Sequence, residues 1–242
     1  MATYAVRVPT PVDPVPLPDA GSGAADTGRR PDREFDRQVG VLLEKGYPAL
    51  AGLTPAAFRD LLEPLRAAVV GRAAPLPPAT SERVPFVLVV TGALVPTEEA
   101  MVRTELGGRA GFVSRDLPDV RRFRPVDGVE VPGPVYALLD VQRGEEYRSV
   151  RPDDALVALT ARGRTPLTVD EGIALVTALP DMLERNHCFS LVATRAGDRR
   201  VPALWISDRR PKLGWCWAGN PHTWLGSASC AARVGPGGPR VV

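Results

Sequence analysis

The sequence predicts an α+β protein: a single domain with a mixed or mainly antiparallel sheet, an N-terminal helical hairpin and a proline-rich N-terminal arm. Three observations carry that prediction. Apolar residues recur at helical spacing between Asp32 and Val69, but from Val84 onward they come in short β-branched runs. The last third reads almost wholly as strand and turn. Finally, the chain holds 26 prolines and 23 glycines in 242 residues, about a fifth of the whole where ordinary domains carry ~12%, which excludes a helical bundle or coiled coil.

Residues 1–31 combine prolines at 9, 11, 14, 16 and 18 with a Gly-Ser-Gly stretch, a composition that favours extended, solvated backbone and so an arm without its own core. The domain is expected over 32–234 and a Gly/Pro tail over 235–242. Phe35, Val39, Leu42 and Leu43 form the stripe of a first helix, capped by Asp32 and ended by Gly46. Thr54-Pro55 opens a second, with Phe58, Leu61, Leu62, Leu65 and Val69 on one face and a kink or interruption at Pro64. Val84–Val90 shows no polar alternation, which predicts a strand buried on both faces and central in its sheet. Pro96–Val102 opens a short helix and Pro134–Val141 a further strand. Helix follows at Ala155–Ala161 and again from Thr168, whose spacing to Glu171 is that of a capping box. Cys188–Ala193 and Val201–Ser207 flank a Gly197-Asp198 turn as a hairpin. Pro202 must lie at an edge or bulge, because it has no N–H for a ladder. Lys212–Trp217 supplies one more strand.

Composition bounds the setting. A net charge of +2 with 44% hydrophobic residues excludes a wholly disordered chain, and the longest apolar stretch, Val84 to Pro96, is too short to span a bilayer. Prolines break any apolar leader at the N-terminus, and three cysteines without paired spacing fit a reducing compartment, so a cytoplasmic location is expected. All basic residues except Lys45 and Lys212 are arginine, a bias that first reflects a GC-rich genome.

Chemistry is concentrated near the C-terminus. All four tryptophans (Trp205, Trp215, Trp217, Trp224), both histidines (His187, His222) and all three cysteines (Cys188, Cys216, Cys230) lie between His187 and Cys230. His222, in a loop bounded by Asn220, Pro221 and Trp224, is a candidate general acid or base, with Asp208 or Glu184 as partner. Cys216 is a candidate nucleophile, although a cysteine in a Trp-Cys-Trp strand is most simply a small buried hydrophobe. The tryptophans, Asn220 and Arg209 are candidate substrate-binding groups. No metal is expected, since no Cys/His spacing matches a known site and adjacent His187 and Cys188 point to opposite faces of a strand. No other cofactor is expected either, as neither a P-loop nor a G-x-G-x-x-G is present. Six basic residues between Arg195 and Lys212 lie close to tryptophans, the composition of a single-strand groove. Arg199-Arg200 sits at a hairpin tip, however, where charge serves solubility, so a nucleic-acid partner is not expected. The adjacent carboxylates Asp153-Asp154, Asp170-Glu171 and Glu145-Glu146 fall at helix starts or turns, where capping accounts for them.

Three motifs, Arg200–Ser207 (RVPALWIS), Pro211–Trp217 (PKLGWCW) and Asn220–Cys230 (NPHTWLGSASC), resemble those of an uncharacterised actinobacterial family, a domain of unknown function. The resemblance extends upstream through Arg164–Thr168 and Gly46–Leu53. It implies a single cytoplasmic domain from a GC-rich bacterium and brings no activity, cofactor or catalytic residue. Two readings follow for function. One is a cofactor-independent enzyme of acid/base lyase, cyclase or hydrolase type in specialised metabolism, which binds a small molecule in a Trp-rich pocket at His222. The other is a non-catalytic ligand-binding or protein-interaction module, in which the same segment is a recognition surface.

Overall fold

Pro31 opens the first helix, α1 (Pro31–Glu44), at a position where a missing N–H costs nothing, so the helix starts just before the expected cap at Asp32 and takes Asp32 and Glu34 into its first turn. The computed structural model describes residues 30–117 and 119–237. The expected arm lies outside these residues apart from Arg30 and Pro31, as does most of the expected tail. A left-handed Gly46 turns the chain into the short α2 (Tyr47–Leu50). Thr54 then caps α3 (Pro55–Leu62), its hydroxyl accepting the Ala57 N–H at 3.2 Å. At Pro64, where a kink or interruption is expected, the helix is interrupted: the proline stands first in a new helix, α4 (Pro64–Ala73).

The remaining elements follow in order. They are β1 (Arg83–Val90), α5 (Thr97–Arg103), β2 (Glu105–Leu106), β3 (Arg109–Ala110), β4 (Phe112–Val113), β5 (Arg124–Pro125), β6 (Val135–Gln142), α6 (Pro152–Ala161), β7 (Thr165–Pro166) and α7 (Val169–Ala178). Then come β8 (Cys188–Ser190), β9 (Thr194–Arg195), β10 (Arg200–Ser207), β11 (Arg210–Trp217), β12 (Leu225–Ser227), β13 (Ser229–Cys230) and β14 (Ala232–Val234). One sheet runs β1-β6-β13-β7, with β14 also paired to β6; a second runs β12-β8-β10-β11-β4. Pairing is mainly antiparallel, but β11 with β4 and β12 with β8 are parallel, so the second sheet is mixed. The architecture is α+β.

The helix α7 packs against both β1 and β10. Such a helix must be apolar all round, and every residue of α7 is buried except Asp170. Its start is the predicted capping box: Thr168 accepts the Glu171 N–H, and the Glu171 carboxylate accepts the Thr168 N–H at 2.6 Å.

β1 departs from expectation. It is buried on both faces as predicted, yet it stands at the edge of its sheet, paired only with β6. A side chain completes that edge. Gln38 of α1, 1% exposed, accepts the Leu88 N–H at 2.8 Å and donates to the Phe86 carbonyl at 3.1 Å, as a neighbouring strand would. Pro85, which has no N–H to offer, is tolerated there for the same reason. Gln38→Met should strand both backbone groups and lower stability by about 1–3 kcal/mol, read from the urea midpoint at constant slope.

Candidate active site

Alternation along the β10–β11 hairpin decides where the tryptophan-rich segment points. The register Ala203↔Gly214 places Val201, Ala203 and Trp205 on one face with Lys212 and Cys216, and Pro202 and Leu204 on the other with Trp215 and Trp217. The four indoles therefore form two pairs on opposite faces. Trp205 meets Trp224 edge to face at 6.1 Å, and its ring lies over Gly214, where any Cβ would overlap it. Trp215 meets Trp217 at 4.7 Å and donates its indole N–H to the Asp116 carbonyl at 2.8 Å. Trp217 is 47% exposed. The Arg200 guanidinium lies over Trp215, and Lys212 over Trp205.

His222 packs its ring against Trp224 at 5.4 Å, while its carbonyl accepts the Ser149 N–H at 2.8 Å. Its Nε2 is buried without a hydrogen-bond partner, and burial holds its pKa below the ordinary histidine value. Asp208 and Arg209 are exposed at the hairpin turn, both with positive φ, as a two-residue turn between twisted strands requires. Cys216 sits at the far end of β11, roughly 20 Å from that turn at ~3.3 Å per residue. Asp208 and Cys216 therefore cannot both serve one imidazole. Burial also pushes the Cys216 thiol up, against the thiolate a nucleophile needs, and its sulfur faces the Ser190 hydroxyl at 3.8 Å. Asn220 is exposed at the turn after β11, its N–H bonded to the Trp217 carbonyl. The hairpin thus joins His222, Trp224 and Trp205 in one row and separates the other candidates from it.

The chain also carries a charge cluster that residue patterns did not reveal. The Arg143 side chain is 1% exposed and places Nε 2.6 Å from Glu145 Oε1, while Nη1 lies 3.5 Å from Glu184. Glu145 also takes His187 Nδ1 at 2.8 Å and Arg148 at 3.2 Å. Glu184, considered above as a partner for His222, is engaged here instead.

A different place collects polar groups around open space. A cavity of about 490 Å³ lies between the loop after β1 (Thr91, Gly92, Ala93), the start of α5 (Pro96, Thr97), the start of α7 (Thr168, Val169, Asp170) and the segment 120–131. Tyr136 and Thr194 complete its lining, and Arg121 and Arg124 also border it. Asp170, the one residue of α7 that is not buried, faces this space. Its Oδ2 accepts the Gly92 N–H and its Oδ1 the Thr97 hydroxyl, each at 2.9 Å, leaving a lone pair on each oxygen. Burial pushes its carboxyl above the ordinary range; the bonds from Gly92 and Thr97 offset part of that rise, and the charges of Glu171 and Glu98 add to it. A carboxyl with a raised pKa, placed in a cleft, is a candidate for proton exchange.

Behind Asp170, Glu171 is fully buried and holds the cleft wall together. It accepts the Tyr136 hydroxyl at 2.7 Å and the Arg233 guanidinium through both oxygens. Arg233 reaches on to Thr165 and to the Pro166 carbonyl. The adjacent pair that capping alone explained is thus divided: Glu171 caps and anchors, while Asp170 is turned into the cavity. Nothing in the local sequence separates those roles, because the direction of Asp170 is set by which face of α7 the two sheets leave uncovered.

Among the described residues, no group of three or more His, Cys, Asp or Glu is arranged to hold a metal ion, and no helix is long and apolar enough to cross a membrane. Fold and cleft together define an α+β protein with a polar cavity at the N-terminal end of a buried central helix. The chain belongs to the family of unknown function DUF5701, whose model matches residues 41–236. No curated protein and no solved structure matches it.

Proposed function

We propose that the chain is a cofactor-independent enzyme of the acid/base type, a lyase, cyclase or hydrolase acting on a small molecule of specialised metabolism in the cytoplasm, and that Asp170 transfers the proton. The observation that carries this reading is a single carboxyl, left uncovered on an otherwise buried helix, facing a cavity of the size that binds small molecules. The Gly92 N–H and Thr97 hydroxyl fix its orientation, and burial raises its pKa.

Asp170→Asn tests it. The amide keeps the bond from Gly92 through Oδ1, and the Thr97 hydroxyl can turn to accept from Nδ2. In a metabolite library read by mass-detected turnover, the variant should lose about 10²–10⁴-fold in rate. Folding should not suffer. Because the folded carboxyl holds its proton to higher pH than the unfolded one, that stabilisation is lost as pH rises from the ordinary aspartate range through the raised pKa. Asp170→Asn should remove this slope and keep the wild-type melting temperature, or exceed it, at pH 7. Full turnover in Asp170→Asn with loss in His222→Ala would move the proton-transfer role to His222.

A second reading, a non-catalytic recognition module, is favoured by one observation: a cation lies over an indole on each face of the β10–β11 hairpin, and Trp217 is about half open to solvent. Binding without turnover, lost on Trp217→Ala and kept in Asp170→Asn, would support it over the enzyme.

A further inference from the structure

We infer that the Asp170 cleft takes a zwitterion on an apolar frame, an amino acid or a close derivative, with its ammonium group at Asp170 and its anionic group at Arg124. This inference rests on the reading of the cleft as a small-molecule site.

The argument is one of unmet charge. No cation among the described residues forms an ion pair with Asp170, and the charges that act on it, Glu171 and Glu98, are of its own sign. Glu171 is neutralised by Arg233, and Arg121 stands 3.5 Å from Glu98, so neither arginine is spent on Asp170. Each Asp170 oxygen keeps a free lone pair on a cavity wall. A ligand ammonium supplies both the missing countercharge and the donors. Arg124 borders the same cavity; it is exposed, and among the described residues it has no carboxylate partner. Asp170 and Arg124 thus border one cavity without pairing with each other. Pro96, Val120, Phe123 and Val131 line the same cavity and would pack an apolar side chain. A simple amine would leave Arg124 unanswered, a simple acid would leave Asp170 unanswered, and a molecule bearing both groups answers both.

Calorimetric titration of the full chain tests this with matched probes: L-leucine with 3-methylbutylamine and 4-methylpentanoate, and L-phenylalanine with 2-phenylethylamine and 3-phenylpropanoate. At least one amino acid should bind about tenfold or more tightly than its amine and its acid, the loss expected for one charge-assisted hydrogen bond. Asp170→Asn should bring that amino acid down to the affinity of its acid, and Arg124→Gln down to that of its amine. Equal binding of an amine or an acid alone, an affinity untouched by both substitutions, or binding by none of the six overturns the inference. Ala93→Trp, which fills the cleft from an exposed loop, separates the two claims. If library ligands lacking either charged group bind wild type and are lost in Ala93→Trp, the cleft remains a site and only the zwitterion fails. If amino-acid binding survives Ala93→Trp, the cleft reading itself fails.

Discussion

Glu171→Ala should lower the unfolding free energy by about 3–5 kcal/mol, the range for removing one partner of a sealed ion pair. The size follows from what is left behind. Arg233, with a side chain 6% exposed, loses its only carboxylate among the described residues, the Tyr136 hydroxyl loses its acceptor, and the Thr168 N–H returns to an uncapped helix start. Water cannot easily replace these partners, because α7 is covered by both sheets. Removing both charges at once should cost less: Glu171→Leu with Arg233→Met strands no ion, so the double variant should be more stable than Glu171→Ala alone. Urea denaturation of the set would show this as a positive coupling, and additive losses would contradict it.

The second large effect concerns the cluster around Arg143, where the two halves of one pair should differ. Glu145→Ala leaves a guanidinium that is 1% exposed with, among the described residues, only the Glu184 carboxylate at 3.5 Å, and should cost about 3–5 kcal/mol. Arg143→Met should cost distinctly less, because Glu145 retains His187 at 2.8 Å and Arg148 at 3.2 Å. Neither Arg143 Nε nor Glu145 Oε1 makes an aligned hydrogen bond despite their 2.6 Å separation, so the pair is held by charge and burial rather than by direction. Equal losses for the two variants would show that the cluster is open to water.

These features differ in how far residue patterns reveal them. The helix starts at Thr54 and Thr168 are legible because capping is local: an oxygen, a donor three residues on, and the spacing between them. The β6 strand and the β10 and β11 runs are legible from their apolar content. The position of β1 is not, since an interior strand and an edge strand covered by helices carry the same apolar run, and the difference is made by Gln38, some fifty positions earlier. The site follows the same rule. His222, Trp205 and Trp224 are brought together as their clustering implied, but Trp215 and Trp217 are turned away by strand alternation, and Asp208 and Arg209 are carried out to a turn. Asp170 was hidden by its neighbour, because a residue at a helix start is explained by capping whether or not a cavity lies in front of it.

The order of strands also bears on how the chain is assembled. β14 lies against β6 with Val234 opposite Ala137, and β13 joins β6 to β7. The first sheet is therefore incomplete until a segment from the far end of the domain arrives, and β6 must wait with one side unpaired. Pairings so distant along the sequence make folding slow, and they leave an open apolar edge during synthesis for a chaperone or another chain to meet.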